Sequence, residues 1–153
     1  MMDNEFNIDP NYRATLVSLV SPNFPDHQTE SETRRSINEL RELLRTLGLK
    51  TGEAHIQNKK EIDPATILGS GKLKEIAEAA KTDDSQLLVF DFELTARQIA
   101  NIRKITGLSV VDRVHVILEI FAKHARTREA KIQIEIARLQ YMLPRLAGFW
   151  THL

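Results

Sequence analysis

The sequence predicts an α/β protein: a small parallel sheet of about four strands flanked by helices, followed by a projecting antiparallel two-helix hairpin. Apolar runs alternate with amphipathic segments through residues 13–111, as parallel strands joined by helical crossovers require. Apolar residues then recur at steps of three and four through residues 112–150, which is typical of helices packed side by side. This change of pattern predicts an α/β subdomain over 1–111 and a helical hairpin subdomain over 112–153.

The first half of the α/β region contains two predicted strands and one helix. Arg13–Val20 has paired apolar residues that suit a buried strand. A capping-box pattern at residues 29–32 begins a helix, and its apolar residues continue at helical spacing to a stop at Gly48. A weaker strand is predicted around residues 52–57.

The second half repeats this order. A glycine-rich turn at residues 69–72 introduces the second helix. The strongest strand prediction is 86–92, because a continuous apolar run is typical of parallel sheets that are buried on both faces. A second capping box at residues 95–98 opens the third helix, which Gly107 ends, and residues 108–111 form a fourth predicted strand.

Residues 112–150 are predicted to form two helices with a turn near residues 126–128. One long helix is the alternative, because no strong helix breaker lies near the turn. Residues 129–143 alone would be about 22 Å long at 1.5 Å per residue, so the hairpin should project well beyond the sheet. Pro144 should kink the second helix. The predicted apolar seam between the helices comprises Val114, Leu118, Phe121, Ala125, Ile132, Ile136, Leu139, Leu143, Leu146 and Trp150.

Composition excludes several classes of protein. The chain of 153 residues is 42% hydrophobic and 27% charged, as in a soluble globular protein. It has no cysteine, which excludes disulfides and thiol catalysis. The start is acidic, unlike a signal peptide, and no apolar run approaches the roughly 20 residues that cross a bilayer. These features predict a cytoplasmic protein without a membrane span.

A glycine-rich turn is the first candidate for chemistry. Gly69-Ser70-Gly71-Lys72 precedes a helix, whose free backbone N–H groups could hold a phosphate. It differs from a P-loop, because Thr66 stands where a glycine is needed and Leu73 where Ser or Thr is needed. The favoured interpretation is a tight turn with Ser70 as the N-cap.

Acidic residues at strand ends are the second candidate. Asp91 and Glu93 end the best strand, where α/β sheets present ligand residues, and two acids there could bind a metal or act as a base. The favoured interpretation is that they are solvated loop acids or help to cap the following helix. Asp112 is predicted to cap the following helix. The histidines lie at no zinc-like spacing and no nucleophile elbow is present, so we expect neither a metal site nor a catalytic residue.

Charge is distributed unevenly along the chain. Residues 1–111 hold fourteen Lys/Arg against seventeen Asp/Glu, a balance of −3, whereas residues 112–153 hold seven against four, a balance of +3. The predicted tip is cationic, and such residues suit phosphate contacts and stacking on exposed bases. Composition alone favours a solvated loop instead. The cations of the tip are Lys123, His124, Arg126, Arg128 and Lys131.

Three segments together resemble the HflX family of ribosome-associated GTPases. They are residues 63–72 (DPATILGSGK), residues 88–95 (LVFDFELT) and residues 111–153, which include ARTREAK and end in WTHL. The likeness spans about residues 13–153, although the first sixty residues match in pattern only. Ile67 and Phe92 depart from the family, which often has an aromatic and a polar residue there.

The resemblance implies a function. HflX-like proteins bind the large ribosomal subunit, split or rescue ribosomes under stress, and place the hairpin of their N-terminal domain in ribosomal RNA near the peptidyl-transferase centre. By this resemblance Arg126, Thr127 and Arg128 would form the inserted tip, and the flanking contacts would be Lys123, His124 and Lys131.

The resemblance also implies a GTPase domain, with GTP and Mg²⁺, after the tryptophan-containing end. This sequence ends at Leu153 without a P-loop, so the expectation is an isolated or truncated domain without enzymatic activity or a cofactor. Its expected partners are the large subunit and its own GTPase domain, and the expected state is a monomer. Two alternatives stay open: an ATP-binding domain that uses Gly69–Lys72 with Asp91, and an interaction or dimerisation module that uses Leu139, Leu143 and Trp150.

Overall fold

The fold is an α/β sandwich with one parallel sheet, which confirms the predicted class. The computed structural model describes the backbone of residues 7–150 and the side chains of residues 7–145. In chain order the elements are β1 Arg13–Val20, α1 Glu30–Thr46, β2 Lys50–Asn58, α2 Ser70–Thr82, β3 Leu87–Phe90, α3 Ala96–Thr106, β4 Ser109–Asp112, α4 Arg113–His124 and α5 Arg128–Trp150. None of the described helices is long and apolar enough to cross a membrane.

The four strands lie in the order β2-β1-β3-β4, and every neighbouring pair is parallel. The chain moves outward from β1 to β2, returns across β1 to β3, and then continues to β4. The strand order therefore reverses between β1 and β3. In open α/β sheets such a reversal opens a crevice at the carboxyl ends of the two strands, and ligands bind there.

Alternating side chains of the strands supply two cores, one on each face of the sheet. On β3, Leu88 and Phe90 face helices α2 and α3, whereas Leu87 and Val89 face helices α1 and α4. All four of these side chains are buried. The sheet is therefore covered on both faces, which explains the continuous apolar run that predicted this strand.

Most helix ends follow the sequence prediction because their caps are local. Thr29, Thr95 and Asp112 each accept a hydrogen bond from the backbone N–H three residues later. Gly107 ends α3 in the left-handed conformation, with φ of 71°. That conformation strains other residues but not glycine.

The predicted N-cap of α2 was wrong by one residue. Gly69 is the cap, with φ of −63° and ψ of 154°, and Ser70 is the first residue of the helix. No side chain caps this end, because the capping residue has none. Three strands also differ in their bounds: β2 is longer than the predicted 52–57, β3 is shorter than the predicted 86–92, and β4 lies one residue later than the predicted 108–111.

Two separate helices follow the sheet, so the alternative of one long helix was wrong. Ala125 has extended backbone angles, φ −67° and ψ 126°, and ends α4. The Thr127 hydroxyl then accepts a hydrogen bond from the Ala130 N–H (3.1 Å) at the start of α5. The extended Ala125 and the Thr127 cap thus separate α4 from α5, although the sequence has no Gly or Pro there.

Helix α4 lies against α1 along its length rather than projecting from the domain. Its first residue, Arg113, bonds Ser36 of α1, and Lys123 in its last turn donates to the Thr46 carbonyl at the end of α1 (3.1 Å). Helix α5 contacts both α3 and α4, which lie on opposite faces of the sheet. It therefore runs across the edge formed by β4.

The predicted apolar seam of the last two helices was wrong, because much of it faces solvent. Exposure is 54% for Phe121, 50% for Ile132, 51% for Ile136 and 55% for Leu143. Spacing defines a stripe on a helix but not the direction in which the stripe points. Pro144 lies inside α5, and the side chains of Leu146 and Trp150 are outside the described residues. The buried positions are instead His115, Val116, Tyr141 and Met142.

Candidate nucleic-acid interface and a cleft at the sheet edge

The junction between α4 and α5 brings together all the residues predicted to contact RNA. We call residues 123–131 the cationic junction; it contains the last two residues of α4, the connection and the first turn of α5. Since α4 starts at the carboxyl end of β4 and runs back along the sheet, this junction lies at the amino edge of the strands. Its predicted contact residues are Lys123, His124, Arg126, Thr127, Arg128 and Lys131.

Three of these residues have structural partners. Thr127 caps α5 through its hydroxyl, and its carbonyl accepts the Lys131 N–H (3.0 Å). The His124 ring Nδ1 lies 2.9 Å from the Ile120 carbonyl. Together with the Lys123 contact to α1, these bonds fix the connection between the helices.

The other three cations face solvent. Arg126, Arg128 and Lys131 are exposed, and within the described residues none forms an ion pair with a carboxylate. Glu129 is the acid inside the junction. The N-terminus of α5 adds the partial positive charge of its first backbone N–H groups. The junction therefore presents several unneutralised positive charges on one end of a helix pair.

A buried ion pair holds the two helices together behind the junction. The Arg138 guanidinium on α5 donates to Glu119 on α4 over 2.9 Å, and both side chains are nearly buried. Arg138 also donates to the side chain of Asn7 (2.8 Å). The sequence did not indicate this pair, because its two residues lie on different helices.

A second polar cluster holds α5 to the body of the domain. The buried Asp112 carboxylate accepts hydrogen bonds from the Tyr141 hydroxyl and from the Leu94 N–H (2.7 Å). The Arg145 guanidinium lies 3.5 Å from the centre of the Tyr141 ring and donates to the Leu94 carbonyl. Burial, and then the charge of Asp112, raise the pKa of Tyr141, so the phenol stays protonated and donates.

A cleft lies at the opposite edge of the sheet, where the strand order reverses between β1 and β3. Its volume is about 800 Å³, which is large enough for a small ligand. Asp91 forms part of its floor and is buried, so the interpretation of Asp91 as a solvated acid was wrong. Glu93 is 66% exposed, as predicted. The cleft is lined by Phe24, Pro25, Asp26, His27, Glu32, Arg35, Ser36, Glu39, Asp91, Phe92, Glu93 and Arg113.

Asp91 is the centre of a polar network built from four separate segments. Arg113 donates to its Oδ1 (2.8 Å), and His27 Nε2 lies 3.0 Å from its Oδ2. The Ser18 hydroxyl donates to the same Oδ2 over 3.4 Å. Both carboxylate oxygens are therefore satisfied inside the protein, which explains why an acid can be buried here.

His27 is held between two oxygen atoms. Its Nδ1 lies 3.2 Å from the Pro25 carbonyl, and its Nε2 faces Asp91. Burial lowers the pKa of His27, but these hydrogen bonds and the charges of Asp91 and Asp26 together raise it above its usual 6.5. Both ring nitrogens therefore face oxygen atoms inside the protein.

The glycine-rich turn lies apart from this network. Lys72 Nζ is 3.8 Å from the Glu75 carboxylate, and no residue from Gly69 to Lys72 lines the cleft that contains Asp91. The structure thus does not bring the turn and Asp91 into one site. Within the described residues, no group of three or more His, Asp or Glu side chains could hold a metal ion.

The comparisons with known proteins agree with each other. The family described as "GTP-binding GTPase N-terminal" matches residues 34–122, and "GTP-binding GTPase Middle Region" matches residues 124–153. The boundary between the two matches falls at the end of α4. The first match alone covers more than half of the chain.

Curated relatives named "GTPase HflX" include those of Flavobacterium psychrophilum, 39% identical over 92% of this chain, and Escherichia coli, 34% identical over 82%. These alignments cover 33% and 29% of the two relatives, so the chain spans about a third of their length. A crystal structure of a GTP-binding protein from Sulfolobus solfataricus in complex with GDP is also similar. It is 29% identical, with a TM-score of 0.60 over 90% of this chain and 40% of that one. The chain therefore belongs to the family of HflX GTPases and matches their N-terminal and middle regions.

Proposed function

We propose that this chain is the ribosome-binding part of an HflX-like GTPase and that its cationic junction contacts RNA of the large subunit. The observation that supports this most strongly is the set of exposed cations Arg126, Arg128 and Lys131, which have no acidic partner in the described part of the chain. Cations on a protein surface are usually scattered and contact only water. Here they lie close together in the chain where α4 ends and α5 begins.

The physical basis of the contact is phosphate neutralisation. Each Arg or Lys that neutralises a phosphate releases a condensed counterion, so log K falls with log[salt] by about 0.7–0.9 per contact. Arg126 and Arg128 can in addition bind phosphate through two parallel N–H groups. The Glu119–Arg138 pair fixes the helices, which reduces the entropy lost when the junction binds.

In this proposal the chain itself does not catalyse a reaction. Nucleotide hydrolysis, with GTP and Mg²⁺, would belong to the GTPase part of the longer relatives. The chain would supply the ribosome contact during splitting or rescue of ribosomes under stress, in the cytoplasm. The GTPase part would act as its second partner.

Co-sedimentation with purified large ribosomal subunits tests this function at low and physiological salt. We expect saturable binding by the wild type and its loss in the Arg126→Ala/Arg128→Ala variant. The matched control is Arg97→Ala/Lys104→Ala, which removes two exposed charges from α3 and should bind normally. Equal binding by all three proteins would contradict the assignment to the junction.

Nucleotide binding is the second candidate function. The observation that favours it is the cleft of about 800 Å³ at the reversal of strand order, with Arg35 and Arg113 in its wall. The free N-terminus of α2 at Gly69 would be the other phosphate site. Calorimetric titration with ATP tests nucleotide binding separately from RNA binding. An absence of saturable binding up to millimolar nucleotide would exclude nucleotide binding.

A further inference from the structure

An aromatic side chain lies exposed beside the cationic junction. Phe121 begins the last turn of α4, two residues before Lys123, and 54% of its surface is exposed. On the other side of the junction, Ile132 in α5 is 50% exposed. Large apolar groups thus flank the cations on both helices.

Phe121 does not belong to the buried face through which α4 packs on the domain. The buried face of the helix contains His115 and Val116, and Glu119 contacts α5. Phe121 lies five residues after Val116, or roughly 140° around the helix at 3.6 residues per turn. It therefore points away from the core, and more than half of its apolar surface stays in contact with water.

An RNA partner could bind both the exposed cations and the exposed aromatic ring. Phosphates bind cations, and the faces of unpaired bases stack on aromatic rings. An RNA duplex hides its base faces and offers mainly phosphates and hydroxyl groups. From the position of Phe121 next to the unpaired cations, we infer that the junction binds RNA with unpaired bases, and that Phe121 stacks on one of them. This inference rests on the proposed function, since it names the RNA class that the junction selects.

A protein partner fits this end of the helix pair less well. Covering Phe121 and Ile132 with an apolar protein surface would also desolvate Arg126, Arg128 and Lys131. Burying unpaired charges is costly unless acidic groups neutralise them. A nucleic acid neutralises the charges and covers the ring at the same time.

Fluorescence anisotropy with labelled RNA tests the inference. The probes are an unstructured strand of about 12 nucleotides and a blunt duplex of the same sequence, at ~50 and ~200 mM salt. For Phe121→Leu, which keeps the apolar volume but removes the ring, we expect roughly 5- to 100-fold weaker binding to the single strand. Its salt dependence and its duplex binding should equal those of the wild type. Phe121→Trp should restore single-strand affinity.

The controls separate this inference from the proposed function. Leu143→Ala removes a side chain of similar exposure (55%) from α5, about 18 Å along the helix from Lys131, and should bind RNA normally. Loss of binding in Arg126→Ala/Arg128→Ala combined with full binding by Phe121→Leu would overturn the stacking role and leave the ribosome contact intact. Full binding by both variants would overturn both. Equal affinity of the wild type for strand and duplex would overturn the selection of unpaired bases.

Discussion

His27 and Arg113 share the buried carboxylate of Asp91, and each contacts a different oxygen atom. Neither residue was singled out from the sequence, because they lie 64 and 22 residues from Asp91. The cationic cluster was predictable, since its members lie within nine residues of the chain. Ser18, His27, Asp91 and Arg113 meet only because the strand order reverses between β1 and β3. A sequence shows that an acid ends a strand but not which loop will lie above it.

The contact of His27 with Asp91 should make stability depend on pH. The pKa of His27 is raised in the folded state, so its stabilising contribution is fully present below the unfolded value of about 6.5 and is lost as pH rises through the folded value. The difference in melting temperature between wild type and His27→Gln should therefore be larger near pH 6 than near pH 8. Titration of the ring by NMR checks the cause, and a folded-state pKa below 6.5 would contradict it.

Loss of the central carboxylate should destabilise the domain strongly. Asp91→Ala removes the carboxylate that Arg113 and His27 share, and breaking such a buried pair costs about 3–5 kcal/mol. Urea unfolding measures the loss. The exposed acid two residues later provides the control, because Glu93→Gln should change the free energy of unfolding by less than about 0.5 kcal/mol. Similar small effects of both changes would show that the network adds little stability.

At the scale of elements, local signals predicted the helices well and their orientation poorly. The caps at Thr29, Thr95 and Asp112 follow from a side chain and a backbone N–H three residues apart, so the sequence contains them entirely. The outward direction of Ile132 and Ile136 depends instead on the polar pairs that dock α5, Asp112 with Tyr141 and Glu119 with Arg138. Those pairs link different elements, and apolar spacing carries no information about them.

Removal of a single oxygen atom should weaken the contact between α5 and the rest of the domain. Tyr141→Phe removes the hydroxyl that donates to Asp112 but keeps the ring beneath Arg145. Loss of this buried hydrogen bond should cost about 1–3 kcal/mol. Hydrogen exchange should quicken in α5 near residues 137–142 while the amides of β1 keep their protection. Uniform acceleration in both elements would mean that α5 does not open separately.

On the scale of the whole molecule, the two candidate sites lie at opposite edges of the sheet. The cationic junction is at the amino edge, where α1 ends, and the cleft is at the carboxyl edge. Helix α4 connects them, because Arg113 at its start contacts Asp91 and its last turn belongs to the junction. Binding of RNA and of a small ligand would therefore not compete for space.

The exposed apolar residues of α5 raise the question of self-association, and we expect a monomer. Ile132, Ile136 and Leu143 lie at helical spacing, but the exposed cations Arg128 and Lys131 would repel the same residues of a second copy near the junction. Sedimentation velocity over a range of concentrations should give a constant monomer coefficient, unchanged in Ile136→Glu. A dimer that this substitution dissolves would instead assign the face to self-association.

The contact between Asp91 and Arg113 restrains one end of α4, and the contact between Lys123 and Thr46 restrains the other. With 12 residues at 1.5 Å per residue, the helix spans about 18 Å between these two contacts. Because both ends are held, the cations of the junction should keep their positions when the contact at Asp91 is weakened. RNA affinity should therefore be unchanged in Asp91→Asn, and a change measured by fluorescence anisotropy would show that the two edges of the sheet are coupled.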